Sequence, residues 1–149
     1  MSDLSHAKKL LAEDPSLTCV LCKDGQVYSS QRRGIAPMMD FLDADTPLRG
    51  FSAADRIVGK AAAMLFALAG VKEVFAEVIT HNALKIFERY GLACSYGVLT
   101  DQIVNREGSG PCPMEETVKN IESLNEAREA IRETMERLRA GKLAAEKQN

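Results

Sequence analysis

The stretch Ile57–Gly70, IVGKAAAMLFALAG, is apolar throughout apart from one lysine, Lys60. Its length and its alanine, methionine, leucine and phenylalanine content favour a helix over a strand. A helix that is apolar on nearly every face is usually buried between layers. A lysine in its first turns is costly unless the ammonium group reaches water, an anion or a carboxylate. The stretch therefore predicts a buried core helix with a candidate site at its amino end.

The residues before this stretch predict where the core helix begins. Ser52 and Asp55 are three residues apart, which is the spacing of a capping pair, and Gly70 is suited to ending the helix. Asp55 is therefore expected to act as a cap or to point into the same cleft mouth as Lys60. Gly59 carries no side chain, so a ligand or a strand can approach the backbone closely there.

The rest of the chain alternates between helical and strand patterns. In chain order, we predict a helix over 3–13, a hairpin of strands over 17–22 and 26–30, a helix over 35–43, a strand over 74–80, a helix over 82–90, a strand over 93–99 and a short helix from about 113. Strands mixed with helices around one apolar helix indicate an α/β fold. We expect a three-layer α/β/α sandwich around a mixed sheet of four to five strands, with an extra C-terminal helix.

The end of the chain predicts a long charged helix that starts at a capping box of Ser123 and Glu126. A narrow apolar stripe follows at steps of three and four residues, formed by Leu124, Ala127, Ile131, Met135 and Leu138. Such a stripe suits either packing on the domain edge or pairing with another chain. We therefore predict a domain over 1–122 and, over 123–149, an amphipathic helix that Gly141 weakens and that ends in a frayed tail, LAAEKQN. The stripe of this helix offers a route to a homo-oligomer.

Composition and charge restrict the class of protein. The chain has 149 residues, of which 46% are hydrophobic and 27% charged, as is typical of one globular domain. A net charge of −2 and 5% aromatic residues without tryptophan argue against nucleic-acid binding. No segment reaches the roughly 18 apolar residues that span a membrane. Without a signal peptide, the four cysteines are expected to be free thiols in a reducing cytoplasm.

A second candidate site lies in the loop NREGSGPCPME, residues 105–115. Its glycines and prolines predict irregular structure, and Cys112 falls just before the predicted helix at Pro113. A thiolate at a helix amino end is stabilised, so Cys112 is a candidate nucleophile, although a small buried hydrophobe is the commoner role of a free cysteine. Asn105, Arg106 and Glu115 are candidate polar contacts to a ligand.

The spacing of the possible metal ligands predicts no metal site and no cofactor. Cys19 and Cys22 form a C-x-x-C pair, but in a strand residues three apart point to opposite faces. Cys112 and Glu115 lack enough partners for coordination, and a histidine that ends a strand, such as His81, is more often a cap.

Three blocks of the sequence resemble a prokaryotic family of unknown function, the domain of unknown function 1893. The blocks are VLCKDGQVYSS, LRGFSAADRIVGKAAAMLFALAGVKEVFAEVIT and IVNREGSGPCPMEE, within a resemblance that covers roughly residues 4–122. The resemblance implies a fold similar to that of the cytidine deaminases. Zinc deaminases carry H-x-E or C-x-E at the start of the core helix and P-C-x-x-C at the next. The corresponding segments here, AADRIVGKAAA and ITHNA, contain neither motif, so the resemblance implies a deaminase-like domain without the zinc ligands.

These observations lead to the hypothesis that a small anionic, nucleotide-like metabolite binds in a cleft at the amino end of the core helix. Lys60 and the free backbone N–H groups of the helix would hold the anion. Asp55 and Asn105 would orient polar groups of the ligand, with Gly59 and Glu115 as further contacts.

Two alternatives for the function stay open. The first is a zinc-independent enzyme with Cys112 as nucleophile and Lys60 as the neighbouring catalytic cation, or with Lys60 itself as base or amine nucleophile. The second is a non-catalytic interaction module that assembles through the C-terminal stripe. For Lys60 there is also a structural interpretation, in which the stem packs on the sheet and the ammonium group reaches solvent.

Overall fold

The structure is a computed structural model that describes residues 1–105 and 108–148. Of residues 147 and 148 it describes the backbone only. The elements are α1 (Asp3–Glu13), β1 (Cys19–Lys23), β2 (Gln26–Ser30), α2 (Ala36–Asp43), β3 (Ser52–Val58), α3 (Lys60–Ala69), β4 (Glu73–Thr80), α4 (His81–Tyr90), β5 (Ala93–Thr100), α5 (Pro113–Val118) and α6 (Leu124–Gln148). All elements that the sequence predicts before residue 44 and between residues 71 and 100 are confirmed, with bounds that differ by at most two residues.

The core helix begins later than the sequence predicts. Ser52–Val58 forms the central strand β3, so the prediction that Ser52 and Asp55 cap a helix was wrong. A strand buried on both faces lacks the alternating pattern that distinguishes a strand from a buried helix in sequence. Gly59 is the residue before α3, which makes Lys60 the first helical residue. Gly70 ends α3 in the left-handed conformation with φ 80°, as predicted.

The sheet has five strands in the order β2-β1-β3-β4-β5 and is mixed. β1 is antiparallel to both β2 and β3, whereas β3, β4 and β5 are parallel to one another. Each parallel pair is joined by a crossover helix, α3 or α4. The carboxyl ends of β3, β4 and β5 and the amino ends of α3 and α4 therefore meet at the same end of the sheet.

Helices cover both faces of this sheet. The main core lies between the sheet and a layer that contains α2, α3, α4 and the start of α6. On the other face α1 covers a smaller cluster, formed by Ala7, Leu11, Val20, Cys22 and Ala54. Cys19 belongs to the main core and Cys22 to the smaller cluster, so the two thiols lie on opposite faces as the strand geometry predicts. The predicted α/β/α sandwich is confirmed.

The apolar stripe of α6 packs on its own domain. Ala127 and Ile131 are fully buried beside α3, and Met135 packs against the same core. The predicted cap at Ser123 is present, since its Oγ accepts a hydrogen bond from the backbone N–H of Glu126 at 3.3 Å. The helix continues through Gly141 to Gln148. One glycine costs a helix only about 1 kcal/mol, and its neighbours here are strong helix formers.

Candidate functional site

A cleft of about 570 Å³ opens where the carboxyl ends of β3, β4 and β5 meet the amino ends of α3 and α4. In open sheets with parallel strands, ligands bind outside the carboxyl ends of those strands. The lining residues are Lys60, Thr80, Asn82, Lys85, Ile86, Arg89, Asp101, Gln102, Ile103, Pro111, Glu115, Glu116, Lys119 and Glu122.

The amino end of α3 is occupied by a carboxylate from the protein itself. Glu115 accepts a hydrogen bond from the backbone N–H of Lys60 at 2.7 Å and another from the N–H of Ala61 at 2.9 Å. These are the backbone donors that were predicted to hold an external anion, and Glu115 caps them as an N-cap side chain would. Two predicted site residues, Lys60 and Glu115, are therefore in direct contact.

Gly59 is the residue that permits this contact. A β-carbon at this position would overlap the carboxylate of Glu115 and would lie 2.8 Å from Cδ1 of Ile103. The backbone of Gly59 is extended, with φ −104°, so any residue could adopt its conformation. The requirement for glycine comes from the close approach of Glu115, whereas the sequence predicted the approach of a ligand or a strand.

The side chain of Lys60 is held inside the cleft. It is only 12% exposed, and its Nζ lies 3.2 Å from the carbonyl oxygen of Lys119 and 3.7 Å from Oε1 of Glu122. Arg89 contacts the same Glu122 carboxylate at 2.5 Å. A carbonyl and a shared carboxylate thus offset the cost of burying the ammonium group.

Two further lysines face the cleft and were not singled out from the sequence. Neither Lys85 nor Lys119 has an ion-pair partner within 4 Å among residues 1–105 and 108–148. The spacing of Lys85 and Arg89 puts both on one face of α4, and this i, i+4 relation could have drawn attention to them. Lysines in charged helices are usually solvated, so the spacing alone is a weak indication.

An apolar surface lies beside these cations. Its side chains come from Ile86 on α4 and from Ile103 and Pro111 on the segment between β5 and α5. As many acidic as basic side chains line the cleft. Thr80 caps α4 by accepting a hydrogen bond from the N–H of Ala83 at 3.1 Å. The cleft therefore combines cations, acceptors and an apolar wall.

Asp55 lies away from the cleft, in the middle of β3. It is 6% exposed and stands opposite Cys19 of β1 in the sheet register. Removal from water raises the pKa of the Asp55 carboxyl to about 8, although backbone N–H groups of Arg56 and Ile57 and the Arg56 charge act in the opposite direction. The same burial, together with the Asp55 charge, raises the pKa of the Cys19 thiol. Because Asp55 lies within the strand, it does not reach the cleft mouth, where the sequence had placed it.

The loop residues Asn105 and Cys112 do not line the cleft. Asn105 accepts a hydrogen bond from the N–H of Ser109 at 3.1 Å and so organises the loop itself. Cys112 immediately precedes α5, as predicted, and its N–H donates to the carbonyl oxygen of Ile103 at 2.9 Å. A nucleophilic role for Cys112 stays a prediction that the cleft geometry does not favour. Arg106 lies outside the described residues.

Neither a candidate metal cluster nor a candidate membrane-spanning helix occurs in the described part of the chain. Within it, no group of three or more histidine, cysteine, aspartate or glutamate side chains is placed to hold a metal ion. None of its helices has the length and apolar character needed to cross a bilayer.

A family model described as domain of unknown function (DUF1893), TM1506, matches residues 6–135. The chain belongs to the DUF1893 family. The family assignment that the three sequence blocks suggested is thereby confirmed. A comparison with curated proteins gives no match.

A solved structure of another DUF1893 family protein has a fold similar to that of this DUF1893 protein. The DUF1893 family protein TM1506 from Thermotoga maritima is 24% identical, with a TM-score of 0.77 over 92% of this chain and 91% of that one. Two deaminases align over less of the chain. The dCMP deaminase of cyanophage S-TIM5 is 10% identical, with a TM-score of 0.45 over 62% of this chain and 92% of its own. The diaminohydroxyphosphoribosylaminopyrimidine deaminase/5-amino-6-(5-phosphoribosylamino)uracil reductase of Thermotoga maritima is 18% identical, with a TM-score of 0.42 over 54% and 29%. The predicted α/β sandwich agrees with the fold that this chain shares with TM1506. The likeness to cytidine deaminases stays a prediction.

Proposed function

We propose that this DUF1893 protein binds a small anionic metabolite of nucleotide-like shape in the cleft at the carboxyl ends of β3, β4 and β5. The observation that carries the proposal is the pair of lysines, Lys85 and Lys119, which face one cleft of about 570 Å³ and have no ion-pair partner among the described residues. Cations that face a concave site without a carboxylate partner are suited to a phosphate or carboxylate of a ligand.

The anion would bind on these lysines and not on the backbone of α3. The Glu115 carboxylate already accepts hydrogen bonds from the backbone N–H groups of Lys60 and Ala61. The ammonium group of Lys60 already contacts the carbonyl oxygen of Lys119 and the carboxylate of Glu122. Lys60 would therefore contribute positive potential from the wall of the cleft, a role that differs from the direct contact that the sequence predicted.

The shape of the ligand follows from the other walls. The apolar surface of Ile86, Ile103 and Pro111 suits a flat ring, and the nearby acidic side chains can accept hydrogen bonds from its amino or hydroxyl groups. A nucleoside monophosphate combines an anion, a flat ring and such donors. Inorganic phosphate would satisfy only the lysines and should bind more weakly.

Calorimetric titration tests this proposal with nucleoside 5′-monophosphates and with inorganic phosphate. Replacing both cleft lysines, as Lys85→Gln with Lys119→Gln, is expected to weaken nucleotide binding about a hundredfold, since each lost charge-assisted contact accounts for about tenfold. Lys142→Gln is the matched control, because Lys142 lies exposed on α6 outside the cleft, and it should leave binding unchanged. If the wild-type protein binds no probe, or if the double variant binds as tightly as the wild type, the proposal is wrong.

A further inference from the structure

The strand β5 is an unprotected edge of the sheet. Ala93–Thr100 pairs with β4 along one side, and no strand among the described residues pairs with its other side. The segment, ACSYGVLT, contains no charged residue and no proline over eight residues. Natural edge strands are usually short, charged, interrupted by proline or covered, because free backbone donors and acceptors are a template for pairing with another chain. β5 has none of these features.

Exposed apolar side chains lie on β5 and on the sheet surface next to it. Val98 is 57% exposed and Tyr96 43%. In the sheet register Val98 lies beside Val78 of β4, which in turn lies beside the exposed Ile57 of β3, so three aliphatic side chains form a row that ends at the edge.

This row lies on the face that carries α1. The next residues along β3 and β4, Val58 and Ile79, are buried in the core under α3, so the row faces the opposite side. On that side α1 covers Ala54 and Phe75, and its cluster stops before the row. The surface beside the edge is therefore apolar and uncovered in the single chain.

We propose that β5 pairs in antiparallel orientation with β5 of a second copy of this chain, which makes a homodimer with one continuous ten-stranded sheet. An edge strand that pairs antiparallel with itself is related to its partner by a two-fold axis, the commonest symmetry of soluble oligomers. Because β5 is uncharged, self-pairing places no like charges opposite one another.

The charges at the two ends of β5 favour a second copy as the occupant. Asp101, which follows the carboxyl end, is 95% exposed. The amino end lies beside Lys72, which precedes β4. The N–H of Ala93 donates to the carbonyl oxygen of Lys72 at 3.3 Å, and the exposed Lys72 side chain lies 3.7 Å from the Glu73 carboxylate. Antiparallel pairing brings Asp101 of one copy toward Lys72 of the other, so the ends of the two strands contribute a contact between opposite charges.

Sedimentation velocity of the full chain tests the proposal. The wild-type protein is expected at twice its chain mass of 16.3 kDa. Val98→Lys should raise the dimer dissociation constant at least tenfold. Val27→Lys is the matched control, since Val27 is an exposed valine on β2 at the opposite edge of the same sheet, and it should leave the dimer unchanged.

A second measurement does not depend on the folding of a variant. Hydrogen exchange of the wild-type protein should show that β5 amides become more protected as protein concentration rises, while β2 amides do not change. Leu143→Lys tests assembly through α6, where Leu143 is exposed. A wild-type protein that stays monomeric at every concentration overturns the proposal. So does a dimer that Leu143→Lys or Val27→Lys dissociates and Val98→Lys does not.

Discussion

Replacing Gly59 with alanine is expected to lower the free energy of unfolding by about 2 to 4 kcal/mol. The new methyl group would occupy the space of the Glu115 carboxylate and approach Ile103. Either the methyl group strains the packing, or Glu115 moves and the N–H groups of Lys60 and Ala61 lose their acceptor. Urea denaturation followed by circular dichroism measures the loss.

The same substitution at Gly141 is the control for this result. Gly141 lies within α6 with nothing near the position of a β-carbon, so Gly141→Ala should leave stability unchanged or raise it by up to about 1 kcal/mol. Combining Gly59→Ala with Glu115→Ala removes the overlap, and the double variant should be less destabilised than the sum of the single variants. Simple additivity would show that Gly59 and Glu115 are not coupled.

Between pH 5 and pH 8 the buried carboxyl of Asp55 is expected to make the protein less stable as pH rises. Burial raises the pKa of this group to about 8 in the folded chain, from an ordinary value of 3.8. Between these values the folded chain holds a proton that the unfolded chain has released, so stability falls with increasing pH and levels off above the folded pKa. One such group contributes at most about 1.4 kcal/mol per pH unit.

Asp55→Asn should remove this pH dependence. The amide stays neutral and keeps an oxygen that can accept the hydrogen bond now donated by the N–H of Arg56 at 2.7 Å. We expect the variant to exceed the wild type in stability at pH 8 by about 2 to 4 kcal/mol, with a difference that shrinks toward pH 5. Denaturation midpoints across this range measure the effect.

Asp43→Asn provides a control of opposite sign. Hydrogen bonds from Arg132, with a further contribution from Arg128, lower the pKa of Asp43 below its ordinary value. The ionised Asp43 carboxylate therefore stabilises the folded chain at every pH above the ordinary pKa of 3.8, and this stabilisation is lost only as the pH falls below that value. The slope between pH 5 and pH 8 should therefore match the wild type in Asp43→Asn. An unchanged slope in Asp55→Asn would contradict the assignment to Asp55.

Local patterns in the sequence predicted most of the elements because each is encoded over a few neighbouring residues. The Asp24-Gly25 turn marks the hairpin, and the glycines at 70 and 91 end α3 and α4 in left-handed conformations. The strand β3 was not predicted because it is buried in the middle of the sheet, where alternation is lost. Its Ser52 and Asp55 have by coincidence the spacing of a helix cap.

The candidate site was predicted in parts but not as a whole. Lys60 and Glu115 were both singled out as contacts to one ligand. Their direct contact with each other was not predicted, because sequence spacing says nothing about a contact between residues 55 positions apart. Asp55 is close to Lys60 in sequence but lies in the middle of β3, outside the cleft. Lys85 and Lys119 could be recognised as site residues only from the structure, since they line one cleft only because α4 lies beside the segment around α5.

The cap on the core helix arrives late when the chain is synthesised. α3 leaves the ribosome well before Glu115, and the face of α3 that Ala127 and Ile131 cover stays open until α6 has also emerged. A nascent chain that already contains all five strands therefore still carries free N–H groups at the start of α3 and an exposed apolar flank. Folding to the final state must wait for the first half of α6, the point at which the family match also ends.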